Sequence, residues 1–460
     1  MTLQHQDIPC LAVDLPENIQ REKWAGHYDL ARRIIEKRLT WETSPAMIKR
    51  LELERLNLDF FERYYIVSRE DALKEIQESV PDFTDEELTN SQMAGQIDYV
   101  YRDGKEAFGK NAASAFLKSV PALWARCPAD EGGARPVLDN MIASLTPGQE
   151  YGAHIHLRHE VWVEEDQLEE GKPLRIHIPV PCQRGPIHNL QILTLEPKPE
   201  YVPAKDSKED QPAAYFCGPA QKGQVFTVEY AFDNRERYVD LTAQDPAQVQ
   251  GAIPEDAQPY LAEELPHIAF TPYMKSLAEE IRGTETNLLL VARRIYDFVT
   301  TQVHYWFVRD YAGIDNLSQY CALGRHGDCG VQALTFMTLC RICGIPAKWE
   351  SGIDAKPQDI GAHDWCRFYL PGLGWLGCDC SYGGSAYDRG ETARWNYYFG
   401  NLDPFRIPIN DGFQKDFARP KTFWRNDPYD NQYGEGEYED RGLYGRQVRH
   451  RYIDKGIRLL

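Results

Sequence analysis

From residue 17 to about 125, apolar positions return every three or four residues. "AGHYDLARRIIEKRL" carries Leu30, Ile34, Ile35 and Leu39 on one stripe, and "MIKRLELERLNLDFFERYY" repeats it with Leu53, Leu56, Phe60 and Tyr64. That spacing is the period of an amphipathic helix. "TDEELTNSQMAGQIDYVY" opens with Thr84-x-x-Glu87, a pair whose side chains satisfy free N–H groups at a helix start. Residues 1–147 therefore read as a helical region, with no catalytic constellation in it.

Near residue 148 the period falls to two. "HIHLRHEVWVEE", "LRIHIPVPC", "LQILTLEP", "AAYFCGP" and "QVFTVEYAF" are short runs rich in β-branched and aromatic residues, separated by Gly, Pro and charged turns. Several such runs with no helix between them predict an antiparallel β-sandwich over 148–265, ending in a proline-rich linker. From 266 to 412 the pattern is mixed. "TETNLLLVARRIYDFVTTQVHYW" predicts a strong helix with Leu288, Ala292, Ile295, Phe298 and Val299 on its buried side. A second, amphipathic helix opens at Cys329, with Val331, Leu334 and Met337/Thr338 as its stripe. Strands follow near "AKWESGI", "DWCRFYL" and "GWLGCDC". Residues 413–460 are polar, aromatic and rich in Gly and Pro, and are expected to wrap the preceding domains. The expectation is a multidomain α+β protein.

Composition narrows the function. The chain has 460 residues, 42% of them hydrophobic, and a net charge of −19, which argues against nucleic acid or an anionic membrane as partner. No apolar run approaches the length of a membrane span, and the N-terminus lacks a basic start followed by an apolar core. Eleven cysteines, an odd number without an export signal, fit a reducing cytoplasm better than a disulfide framework.

One cysteine stands apart. In "GRHGDCGVQALTFMTLCRICGIPA", Cys329 lies at a helix start, where free N–H groups and the dipole are expected to lower a thiol pKa. Asp328 can cap that helix, and Gly327 and Gly330 leave room for a substrate backbone. His363 opens a strand in "GAHDWCRFYL", Asp379 lies in the next, "GWLGCDCS", and "LPGLG" joins them. Pairing 363 with 379 centres the hairpin on 371 and requires an odd-length turn. Asp379 then orients His363 and His363 serves the thiol, which is the logic of a nucleophilic triad.

The ordered elements Gly327/Cys329, Gly344-Ile345-Pro346-Ala347, Gly352, His363/Trp365, Gly374-Trp375 and Asp379 resemble the transglutaminase-like superfamily of papain-type cysteine enzymes. The resemblance spans about 270–412, and "ARRIYDFVTTQVHY" and "YYFGNLDPFRIPIN" resemble bacterial members. It implies a papain-like α+β domain carrying out acyl transfer through a thioester at Cys329. His363 would protonate the leaving amine and then activate water. The Cys329 backbone N–H and one upstream donor, Trp306 or Tyr305, would hold the oxyanion. A peptide or protein substrate and no cofactor follow. Hydrolysis of peptides is the first reading, amine transfer or protein cross-linking the second, and a non-catalytic scaffold the rival from another class. Three positions depart from the family pattern: Cys380 where proline is usual, Asp364 where a small apolar residue is usual and is expected to act on the imidazole, and Gly330 where many animal members have tryptophan.

Competing groups read more weakly. "HIHLRHE" offers His154, His156, His159 and Glu160, of which His154 and His156 share a strand face as two metal ligands would, but His159 falls on the other and no matching Cys/His pair follows at zinc spacing. Cys340-x-x-Cys343 with Cys378 and Cys380 offers four sulfurs, for which buried free thiols are the simpler account. "GEGEYEDRG" reads as a solvated acidic surface, or else as a cleft for basic peptides.

Overall fold

A computed structural model of the chain describes residues 3–124, 126–127, 135–357 and 359–460. The N-terminal region contains the expected helices, among them Tyr28–Leu39, Pro45–Tyr64 and Asp85–Met93. The capping box forms: the Thr84 hydroxyl accepts from the Glu87 N–H, and the Glu87 carboxylate accepts from the Thr84 N–H at 2.8 Å. The buried stripe of Tyr28–Leu39 is rotated from the expected one, with Ala31 and Ile35 inside and Leu30 exposed. The region is not purely helical. Strands Tyr65–Ser68, Lys105–Gly109 and Tyr99–Arg102 form a small antiparallel sheet. Its hairpin turns at Asp103-Gly104, both at positive φ, as a two-residue turn requires.

Two four-stranded antiparallel sheets follow, and their inward side chains share one core that includes Ile155, Leu157, Ile176, Phe216, Val228 and Tyr438. The segment after 413 does more than wrap. Glu435–Tyr438 pairs with Pro173–Pro179 in one sheet, and Val448–Leu459 pairs with Glu150–Val163 in the other. Each covers an edge that would otherwise expose unpaired backbone groups. This overturns the solvated reading of "GEGEYEDRG" for Glu435 and Glu437, while Glu439 and Asp440 are exposed as expected. Glu435 and Glu437 are buried, Glu435 between Lys421 at 3.0 Å and Arg425 at 2.9 Å, and Glu437 against Arg175.

The mixed region is built on a five-stranded antiparallel sheet in the order Phe399–Gly400, Gly374–Cys378, Asp359–Leu370, Ala347–Lys356, Arg406–Asn410. Helices Leu288–Gln302 and Cys329–Ile342 share a core with it through Ala292, Ile295, Leu334, Met337 and Phe368. The cysteine helix is not amphipathic: every residue from Gly330 to Arg341 is buried, so it runs through the centre of the domain. Among the described residues no helix is long and apolar enough to cross a membrane.

Gly352 shows how tightly this sheet is closed. It sits opposite both His363 and Pro408, and a Cβ there would stand 2.0 Å from the Ile407 carbonyl oxygen. Gly352→Ala is expected to cost about 1–3 kcal/mol or more, since backbone must move to admit the methyl group. Urea unfolding measures it, and an unchanged midpoint would contradict the closeness of the two strands.

Candidate active site

The hairpin that carries the histidine closes with Cys366 opposite Cys378 and Leu370 opposite Gly374. Its three-residue turn has the expected odd length but centres on 372, one residue beyond the expected position. Gly372 at φ +82° and Gly374 at φ +84° permit this closure. Asp379 consequently does not sit in the strand opposite His363. It is the N-cap of the next helix, Cys380–Asp388, where its Oδ1 accepts from the Tyr382 N–H at 2.8 Å. The two side chains still meet, with His363 Nε2 2.8 Å from Asp379 Oδ2.

Two further residues define this pair. Arg406 Nη2 donates to the same Asp379 oxygen at 2.7 Å and to Asp403 Oδ2 at 2.7 Å, and the Tyr382 ring stacks on the imidazole at 4.3 Å. Burial pushes the Asp379 pKa up, but His363 and Arg406 outweigh it and hold the carboxyl well below the usual range. An ionised Asp379 only accepts, so Nε2 carries the imidazole proton and Nδ1 is left as the basic nitrogen.

Cys329 begins its helix as expected. Asp328 caps it, accepting from the Val331 N–H at 3.1 Å and from Tyr311 Oη at 2.6 Å. The surroundings of the resting thiol oppose its ionisation. Burial, then Asp364 and Asp328, push its pKa well above the ordinary value, against a smaller pull from the Asp364 backbone N–H. The positive end of the helix is already answered by the Asp328 carboxyl.

Sγ donates to Asp364 Oδ2 at 3.5 Å, and no hydrogen bond joins Cys329 to His363 among the described residues. Asp364 was expected to act on the imidazole. Alternation along the strand instead sends it to the thiol while its neighbour His363 turns to Asp379. Gln432 from the C-terminal segment donates to Asp364 Oδ1 at 2.7 Å and to the His363 carbonyl at 3.1 Å. Burial, then Asp328 and Asp427, raise Asp364 to about 7.

The two upstream aromatics part company. Burial and then Cys329 raise the Tyr305 phenol, which places it within electrostatic range of the thiol. Trp306 is buried and stacked on His326 at 4.1 Å, its Nε1 without a partner.

Asp430 adds a buried carboxyl to the same neighbourhood. Ser351 Oγ donates to it at 2.6 Å, and burial followed by Asp364 raises it to about 8. Its folded pKa lies above the unfolded one, so the stability it contributes when protonated is lost between roughly pH 4 and pH 8. Asp430→Asn, which stays neutral, should therefore unfold at a higher temperature than the wild type at pH 8, by the equivalent of about 1–3 kcal/mol, and show no such gain at pH 4. Equal gains at both pH values would contradict the shift.

The competing groups fall elsewhere. His154 pairs with Asp233 at 2.9 Å and His156 with Glu229 at 2.7 Å, while His159 is enclosed on the other face, where burial lowers it to about 3. Cys380 starts a helix rather than continuing the strand, and its sulfur lies 3.8 Å from that of Cys378. All eleven cysteines are unpaired. Among the described residues no cluster of three or more His, Cys, Asp or Glu side chains is arranged to hold a metal ion.

The cysteine helix and the His–Asp pair both lie within a stretch that is transglutaminase-like in sequence. Residues 275–380 match the model of the transglutaminase-like superfamily. Among solved structures, one from Cytophaga hutchinsonii described as a "putative cysteine protease" is 14% identical at a TM-score of 0.42, covering 68% of this chain and 90% of that one. The periplasmic domain of TgpA from Pseudomonas aeruginosa is 15% identical at a TM-score of 0.28, covering 56% of this chain and 95% of that domain. No curated protein matches the chain in sequence.

Proposed function

We propose that the protein is a thiol-dependent acyl-transfer enzyme, a cysteine peptidase or amidase acting on peptides, with Cys329 as nucleophile, His363 as base and acid, and Asp379 as the residue that orients His363. The observation that carries this reading is the 2.8 Å His363–Asp379 bond, which commits Nε2 and frees Nδ1. For reaction Cys329 must leave Asp364 and meet Nδ1, which requires the helix start and the strand Asp359–Leu370 to shift against each other, because Asp364 and His363 project to opposite sides of that strand. The S–H proton passes to the imidazole as sulfur bonds to the amide carbonyl carbon. The Cys329 N–H and Tyr305 or the unpartnered Trp306 Nε1 serve the oxyanion. The imidazolium returns the proton to the leaving amine, and water, deprotonated by Nδ1, then opens the thioester. The eleven unpaired cysteines agree with a cytoplasmic enzyme.

The test is intact-protein mass spectrometry after incubation with a peptide library and hydroxylamine. An adduct mapped to Cys329 and absent from Cys329→Ala is expected. Carboxylate products mark hydrolysis, whereas a predominance of hydroxamates marks a preference for amines and the cross-linking alternative. A folded protein giving neither adduct nor product would sink the catalytic reading in favour of a scaffold.

A further inference from the structure

We infer that Asp364 is a positioning residue that holds Cys329 as a protonated, resting thiol, and that the C-terminal segment sets it there through Gln432. The inference rests on the proposed role of Cys329 as nucleophile.

Both oxygens of the carboxyl are committed. Oδ2 receives the thiol at 3.5 Å and Oδ1 receives the Gln432 amide at 2.7 Å. The backbone beneath is cleared for this arrangement, because a Cβ on Gly330 would stand 2.6 Å from Oδ2 and 2.4 Å from Tyr311 Oη. Gln432 is itself anchored. Its carbonyl accepts from Tyr452 Oη at 2.7 Å, and Tyr452 lies in the strand Val448–Leu459 that closes the sandwich. A continuous chain of contacts thus runs from the sandwich through Gln432 and Asp364 to sulfur.

Among the described residues no ion pair is made to Asp364. Asp328 faces it from the cap of the cysteine helix, and Asp427 and Asp430 from the C-terminal segment. Tyr433 lies close enough for Asp364 and Cys329 to add to the effect of burial in raising its phenol, and Tyr305 borders both groups. On the neighbouring strand position His363 is turned to Asp379, and nearby Arg425 is turned to Glu435 and Gln211. While Asp364 is ionised, a thiolate beside it would set two like charges in a site of low dielectric, so the proton stays on sulfur. Protonating the carboxyl, or drawing it away by releasing Gln432, removes that repulsion.

The experiment is iodoacetamide alkylation of the full-length protein between pH 5 and 10, with modification of each cysteine followed by peptide mass spectrometry. Asp364→Asn should lower the inflection for Cys329 by at least about one unit, which is about tenfold faster alkylation at pH 9, where Asp364 is ionised, and a much smaller gain at pH 7, where about half of the wild type already carries the neutral carboxyl. Gln432→Leu should move it in the same direction by a smaller factor. Cys10, Cys217 and Cys343, which are partly exposed and lie elsewhere, should keep their rates and thereby report an intact fold. An unchanged or slower rate at Cys329 in folded Asp364→Asn overturns the inference. If that variant does not fold, an unchanged rate in Gln432→Leu does so. No acyl substrate is needed. A failed library screen with a shifted inflection would therefore count against the proposed catalysis alone, and a Cys329 adduct with an unshifted inflection against this inference alone.

Discussion

Replacing Arg406 by glutamine is expected to destabilise the protein by about 3–5 kcal/mol, the cost of leaving buried carboxylates without their cation. Arg406 is 2% exposed. It donates to Asp379 at 2.7 Å and to Asp403 through both Nε and Nη2, and its guanidinium lies 4.8 Å from the Tyr382 ring centroid. Glutamine keeps two donors but no charge, so Asp403 and Asp379 would face each other with only His363 between them and water. Urea unfolding at pH 7 measures the loss. The sign of its pH dependence follows from Asp379, whose folded pKa is depressed. The stability it contributes is present above its unfolded value of about 4 and is lost as pH falls toward the lower folded value. The gap between wild type and variant should therefore narrow below about pH 4. A loss smaller than 1 kcal/mol at pH 7 would mean that the carboxylates find another partner.

Asp379→Asn should leave the fold largely intact and reduce the acyl-transfer rate by roughly 10⁴-fold, as expected when the imidazole loses the partner that selects its tautomer. The carboxylate serves three donors with two oxygens: the Tyr382 N–H, the Arg406 guanidinium and His363 Nε2. An asparagine has one carbonyl oxygen for the same three. The backbone N–H and the fixed guanidinium are the stronger claimants, and the amide N–H₂ that then faces the imidazole favours a proton on the wrong nitrogen. Turnover of any peptide found to acylate Cys329 reads this out. Activity within tenfold of the wild type would remove Asp379 from the mechanism.

Much of the site can be read in the amino-acid order because it is local. Asp328 before an apolar run announces a capped helix, and the odd turn between 363 and 379 announces a hairpin. The single-residue error in that hairpin has a physical origin. Counting places Asp379 in the strand, but its side chain serves the next helix as a cap, a role that periodicity does not reveal. The helical periods on either side hid both the Asp103-Gly104 turn and the short strands it joins. Arg406 stands as a lone charge in the apolar run "FRIPIN", a sign of a buried ion pair whose partners lie at 379 and 403. Gln432 carried no local signal, since only its distant contacts distinguish it from any surface glutamine. "GEGEYEDRG" misled because glycine has no side chain to mark the inward face of a strand, and its countercharges at 175, 421 and 425 lie well before it.

The pairing of Val448 with Val163 has a consequence in time. The cysteine helix, the hairpin and the Asp379 cap are near neighbours in the chain and can assemble as soon as that stretch is available. The Gln432 contact waits for a strand that must find its mate across most of the molecule, and distant closures of this kind come late in folding. A chain whose last strand has yet to dock would hold the His–Asp pair and leave the thiol unrestrained. The nucleophile would then be most open to oxidation or to premature acylation, and docking of the last strand would end that exposure.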